Sequence, residues 1–168
     1  TALPPVFAVL WEALQAMHHW RCGQCEQTVS TAKRGVRRAR EHGLRMWDFL
    51  LAALEVYGWV NDGVADRAQL SLQRFERTIE PRRKVDLAHF HYLTALQRLV
   101  AGDGSGALAA AEAADAISGR YGGPQQRALD GLALAQALHA CGRADDAWRA
   151  LDSARHFGDL LQGEVLAY

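Results

Sequence analysis

Four glycines, Gly23, Gly63, Gly102 and Gly142, stand 40, 39 and 40 residues apart. Five places after each comes a small residue: Thr28, Ala68, Ala107 and Ala147. Four further on stand Ala32, Leu72, Ala111 and Leu151, and three beyond those Gly35, Phe75, Ala114 and Ala154. One such column arises easily by chance; four in one register define a repeat, and a repeat decides the fold before any other feature does. Each unit reads as a helical hairpin. The glycine ends the first helix and supplies the left-handed backbone of a tight turn. Small residues then let the second helix cross the first closely. One hairpin cannot bury its apolar stripe alone, so neighbouring hairpins are expected to stack.

Composition agrees with helix. Alanine occurs 30 times against 17 for Val, Ile and Thr together, and β-branched residues are the natural strand formers. Hydrophobic residues at 49% and charged residues at 23% exclude a disordered chain. Three cysteines exclude a disulfide scaffold and suit a reducing, cytoplasmic setting. Lys+Arg and Asp+Glu both total 19, so no global field draws the chain to nucleic acid or to an anionic membrane. The chain opens at Thr1 and closes in the apolar stretch "DLLQGEVLAY", which reads as a piece of a longer protein.

The fourth unit, "GLALAQALHACGRADDAWRALDSA", shows the pattern most cleanly. It resembles the tetratricopeptide repeat: Leu134, Ala135 and Leu138 match the Leu-Gly-Tyr columns, and Ala147, Leu151 and Ala154 the Ala-Phe-Ala columns. Gly131 departs from the pattern, which prefers Trp there. In the first three units the first-helix stripes are Leu10, Leu14, Met17; Leu50, Leu54, Tyr57; and His89, Leu93, Leu96. These lie two residues too early, which predicts a hairpin turn about two residues longer in those units, with the remaining excess over a ~34-residue period in second helices and connecting loops. Pro81 and Pro124 are expected in those loops, and Pro4-Pro5 at the start of the first helix. The expected architecture is therefore all-α: a right-handed α-solenoid of about four tetratricopeptide-like hairpins of roughly 40 residues. It forms a single domain over 1–168, with repeats at 5–43, 46–81, 85–123 and 125–158 and a further helix starting in 159–168.

The phrases "REHGL-x-x-WDFLL" and "YGGPQQRALDGLALAQALHACGR" are similar to the superhelical sensor region of bacterial signal-transduction ATPases and MalT/LuxR-type transcriptional regulators. That resemblance implies a bacterial module that receives an inducer or partner, with ATPase and DNA-binding domains outside this segment. It implies no direct nucleic-acid binding by the segment itself.

Chemistry-bearing candidates are few. "HHWRCGQC" places His18, His19, Cys22 and Cys25 at spacings a zinc or redox site uses. Against this, Cys22 and Cys141 occupy the same turn-flanking slot of two repeats, and adjacent histidines on a helix point about 100° apart. Structural cysteines, with no metal and no cofactor, are the expectation. Residues 33–45 carry Lys33, Arg34, Arg37, Arg38, Arg40 and Arg45 against Glu41 alone, which reads as a solvated helix face. Residues 1–84 hold 13 basic and 9 acidic groups, and residues 85–168 hold 6 and 10. Asp86 and His89, at helical spacing, read as a surface hydrogen bond. Trp47, beside Phe49, reads as core, and Trp148 as packing or partly exposed. No G-x-S-x-G, H-E-x-x-H, Walker or dinucleotide motif occurs, so no enzyme is expected.

With the stripes above buried, an exposed row on the concave side is predicted from Trp11, Gln15, His18, Asp48, Glu55, Trp59, Phe90, Thr94, Gln97, Gln136 and His139. Mixed aromatic and polar groups suit a groove for a peptide, a protein or a small effector. The leading expectation is thus a non-catalytic interaction and sensor module. The alternative is a structural scaffold or oligomerisation module, including a homodimer, through apolar residues Leu160, Leu161 and Val165 where a polar cap is usual.

Overall fold

The computed structural model describes residues 3–80 and 82–166, without the side chains of residue 45 and of residues 160–166. Leu160, Leu161 and Val165 therefore lie outside the described side chains, and Pro81 outside the described residues. The described residues are all-helical: α1 (Pro5–Arg21), α2 (Cys25–Glu41), α3 (Asp48–Asn61), α4 (Ala65–Glu76), α5 (Lys84–Val100), α6 (Gly104–Tyr121), α7 (Pro124–Ala140) and α8 (Ala144–Leu166), with one 3-10 turn at Arg45–Trp47. They divide into two compact units, Thr1–Ile79 and Glu80–Tyr168. Each unit holds two helical hairpins. In the first, α3 packs on both α1 and α2; in the second, α7 packs on both α5 and α6.

The four repeat glycines all adopt positive φ, between 70° and 75°. Each turn closes by the same two bonds. The glycine N–H reaches back three residues, and the next N–H reaches back five, as in Gln24 N to His19 O at 2.9 Å and Arg143 N to Leu138 O at 3.0 Å. This Schellman closure satisfies helix-end carbonyls and needs a residue tolerant of left-handed backbone. Gly43, with φ 67°, ends α2 in the same way. Of the described second helices, α6 gains a side-chain cap: Asp103 Oδ1 accepts from Gly106 N at 2.8 Å. Pro5 opens α1 as expected, whereas Pro124 begins α7 rather than standing in a loop.

All four turns have equal length, so the expected longer turn in units one to three is wrong. The reason lies in the first helices. The residue seven before each glycine is small and buried throughout: Ala16, Val56, Ala95 and Ala135. Close helix approach is held by this column, while the large residues drift around the helix. Leu14, taken for core, is 47% exposed, and Ala13 and Ala16 beside it are buried. Helix α8 also runs unbroken to Leu166, so no further helix begins at 159.

Core packing in the first unit follows the columns. Leu51 packs with Val9, Ala13 and Ala39, and Leu54 with Ala16 and Ala32. Phe49 meets the fully buried Phe75 at 5.1 Å between ring centroids. Trp47 caps the start of α3 half-buried against the Leu51 cluster, and Trp20 stacks on Tyr57 at 4.6 Å. Two approaches use glycine for space. A Cβ on Gly58 would come within 2.6 Å of Val29, and one on Gly131 within 2.9 Å of Ala154.

Candidate functional site

The richest polar cluster lies in the first unit, where α2, α3 and α4 meet. The first turn of α4 after Gly63 carries Ala68 against α3, so one turn later Ser71 and Arg74 face Glu55. Ser71 Oγ donates to Glu55 Oε1 at 2.8 Å, and Arg74 donates to the same oxygen at 2.6 Å. Lys33 Nζ stands 3.8 Å from it. The cluster borders a cleft of about 150 Å³ lined by Lys33, Arg40, Asp48, Glu55, Ser71 and Arg74 among others. Cations outnumber carboxylates there by three to two. Beside it, the half-buried ring of Trp59 is covered by Lys33 at 5.3 Å and by Arg67 at 4.8 Å.

A matching network sits one hairpin earlier. Arg34 donates to Glu12 Oε2 at 3.1 Å and to Thr31 Oγ1 at 3.1 Å, and Arg38 lies 3.6 Å from Glu12 Oε1. The basic run at 33–45 is thus partly neutralised by buried glutamates on α1 and α3. Its described cations are exposed, as expected of a solvated helix face, and three of them also reach these two acids. The arginines remain about half exposed, which limits each pair to roughly 1 kcal/mol.

The expected row fares unevenly. Asp48 and Glu55 line the α2–α3–α4 cleft, and the Trp59 ring lies under Lys33, which also lines it. Glu55 is only 8% exposed, however, and is held inside its own ion network, so it is not a free groove residue. Gln97, 6% exposed, is likewise buried rather than part of an exposed row. Trp11 and His18 are exposed on α1 and Gln15 is half-buried between them. Phe90 and Thr94 are half-buried, and the Thr94 hydroxyl donates back to the Phe90 carbonyl at 2.9 Å. Gln136 and His139 are exposed and border an apolar groove on α7 and α8.

The four residues of the cysteine–histidine phrase turn to different partners. Cys22 Sγ lies 3.8 Å from His18 Nε2, His19 Nδ1 lies 2.5 Å from Gln24 Oε1, and Cys25 donates to the Gly23 carbonyl at 3.6 Å. Among the described residues no group of three or more His, Cys, Asp or Glu is arranged to hold a metal ion. Asp86 pairs with Arg83 at 2.8 Å, and His89 lies 3.3 Å from Gln126.

Sequence reading missed a buried titratable network in the second unit. Gln126 joins His89 on α5 to Asp130 on α7, donating from Nε2 to Asp130 Oδ1 at 2.8 Å. Asp130 is fully buried, and its Oδ2 has no hydrogen-bond partner among the described residues. Burial pushes its pKa up to about 6, against the weaker opposing pull of Ser118 and Gln126. The Ser118 hydroxyl donates to the Asp115 carbonyl at 3.3 Å, which weakens its hold on Asp130. Burial likewise lowers the pKa of His89. A glutamine between them keeps the acid and the imidazole from exchanging a proton directly. The one signal in the sequence was an Asp at a position where the repeat wants an apolar residue.

Comparison with family models, with curated proteins and with solved structures returns no match. No helix among the described residues is long and apolar enough to cross a membrane.

Proposed function

We propose that the chain is a non-catalytic interaction module built of tetratricopeptide-like hairpins, and that its first unit receives an acidic segment of a partner or a small anionic effector. The observation that carries this reading is the α2–α3–α4 cleft. Its cations Lys33 and Arg40 are exposed, and the Glu55 carboxylate beside them is already held by Ser71 and Arg74. A cleft of about 150 Å³ is too small for a whole drug-sized ligand but accommodates a carboxylate-bearing side chain. Trp59, already flanked by two cations, adds a rigid apolar wall. The identical hairpin turns support the repeat assignment, and stacking of such hairpins would make a solenoid. The resemblance to regulator sensor regions supports a bacterial, cytoplasmic setting in which binding here is relayed to attached ATPase and DNA-binding domains.

The test is titration with a glutamate-rich peptide and with a neutral glutamine-rich control, followed by calorimetry. The glutamate-rich peptide binds, the control does not, and Lys33→Ala together with Arg40→Ala weakens binding at least fivefold with the fold intact. Equal binding of both peptides, or no effect of the double variant, refutes the site.

A further inference from the structure

Each unit shows how one hairpin receives the next helix. In the first unit α3 lies in the groove between α1 and α2. Leu51 reaches Ala13, Leu54 reaches Ala16 and Ala32, and Gly58 faces Thr28, Val29 and the Cys25 carbonyl. In the second unit α7 lies on α5 and α6 in the same way, with Gln126 on His89 and Ala140 against Gly104. Counted back from the turn glycine, the docking face is one stripe: Leu51, Leu54 and Gly58 in α3, and Asp130, Ala133 and Ala137 in α7. All six of these residues are buried.

The same stripe on α1 is Trp11, Leu14 and His18, extended one turn back by Phe7. Here it is open: Phe7 is 56% exposed, Trp11 54% and Leu14 47%. The complementary surface is open as well. The receiving positions of hairpin one correspond, at the same offsets from Gly142, to Leu132, Ala135, Ala144, Ala147, Trp148 and Leu151. These residues line an apolar groove of about 350 Å³ on α7 and α8, where Leu132 is 43% and Trp148 66% exposed. Its floor of three alanines leaves room for large side chains. The helix that fits must bring bulk, which the α1 stripe does.

We propose that the occupant of the α7–α8 groove is α1 of a second copy of this chain, docked as α3 docks on α1 and α2. Charge favours this pairing over chance contact. In the two internal examples the carboxyl end of the docking helix meets the amino end of the receiving second helix. That geometry sets His18 and Arg21, at the basic end of α1, against Asp145 in the acidic first turn of α8. The two halves of the chain also carry opposite net charge, with 13 basic and 9 acidic groups before residue 85 and 6 and 10 after it. The contact is heterologous, so it joins copies head to tail, in an open chain or a closed ring.

Sedimentation velocity over a rising concentration series tests this. The wild-type chain associates as concentration rises, whereas Trp11→Asp and Trp148→Asp each stay at the single-chain mass of 18.5 kDa. Both positions are exposed, and circular dichroism confirms that the variants remain helical. Because each variant keeps one intact surface, an equimolar mixture forms a dimer with one copy of each. A wild-type chain that stays monomeric overturns the proposal. So does a Trp148→Asp chain that still associates like wild type, since the α1 stripe would then be pairing with itself. A mixture that stays monomeric overturns it too.

Discussion

Asp130→Asn gives the sharpest test of the second unit. Asp130 is fully buried, with one oxygen on Gln126 and the other unpartnered. Its pKa rises from the ordinary 3.8 to about 6 in the folded state. Between those two values the folded chain keeps a proton that the unfolded chain has released. The folded state therefore binds more protons, and stability falls as pH rises through this window. At 1.36 kcal/mol per unit, the ionised carboxylate costs about 3 kcal/mol above pH 6. His89 contributes in the opposite direction: its lowered pKa makes stability fall as pH drops below 6.5. Comparing the variant with wild type cancels that contribution. Asparagine keeps the shape and removes the charge. Its unpartnered amide shifts stability by a constant amount at every pH, so the pH dependence of the difference is what matters. Urea unfolding followed by far-ultraviolet circular dichroism should show the variant gaining about 2–3 kcal/mol on wild type between pH 4 and pH 7.5. A difference that stays flat across that range refutes the burial argument.

Two further substitutions probe the hairpins. Gly63→Ala adds a methyl that meets nothing within 4 Å but sits at φ 73°, so it should lower stability by about 1 kcal/mol through backbone strain alone. Gly119→Ala, in a helix with equal space and ordinary φ, should instead raise stability by about 0.5–1 kcal/mol; paired thermal melts check both signs. Gly58→Ala places a Cβ 2.6 Å from Val29 and 3.2 Å from the Cys25 carbonyl, and should cost about 1–3 kcal/mol. Val29→Ala in the same chain should recover part of that loss, which a double-mutant cycle measures as coupling.

The hairpins were legible because glycine at a left-handed turn has no substitute of equal cost. The small columns after it were legible because close helix crossing admits few side chains. The large residues were not, since bulk can occupy several neighbouring positions once a small column holds the backbones close. Leu14 has the size and spacing of a core residue and lies exposed, while Ala13 and Ala16 form the contact. The site was half legible. Asp48 and Glu55 border one cleft, but nothing in a helical period says that Glu55 is claimed by Ser71 and Arg74 from the next helix. The division into two units was hidden because repeat spacing is regular across residues 79 and 80.

The paired ion networks show how much register such a repeat requires. On the second helices the hydroxyl and arginine recur in step, Thr31 with Arg34 and Ser71 with Arg74, each 40 residues apart. Their acids do not: Glu12 stands eleven residues before its turn glycine and Glu55 eight. Three residues is close to one helical turn, so both acids stay on the same face and shift along the axis by about 5 Å. A flexible arginine spans that shift, whereas a close alanine crossing cannot. Small-residue columns therefore hold strict period, and charged partners are free to slip by a turn. The ends of the first helices lie outside those columns and shift as well: Gly58 meets the start of α2, and Ala140, one turn nearer its glycine, meets the start of α6. In a stack of this kind the face of a helix is fixed by packing, and its axial position is set locally.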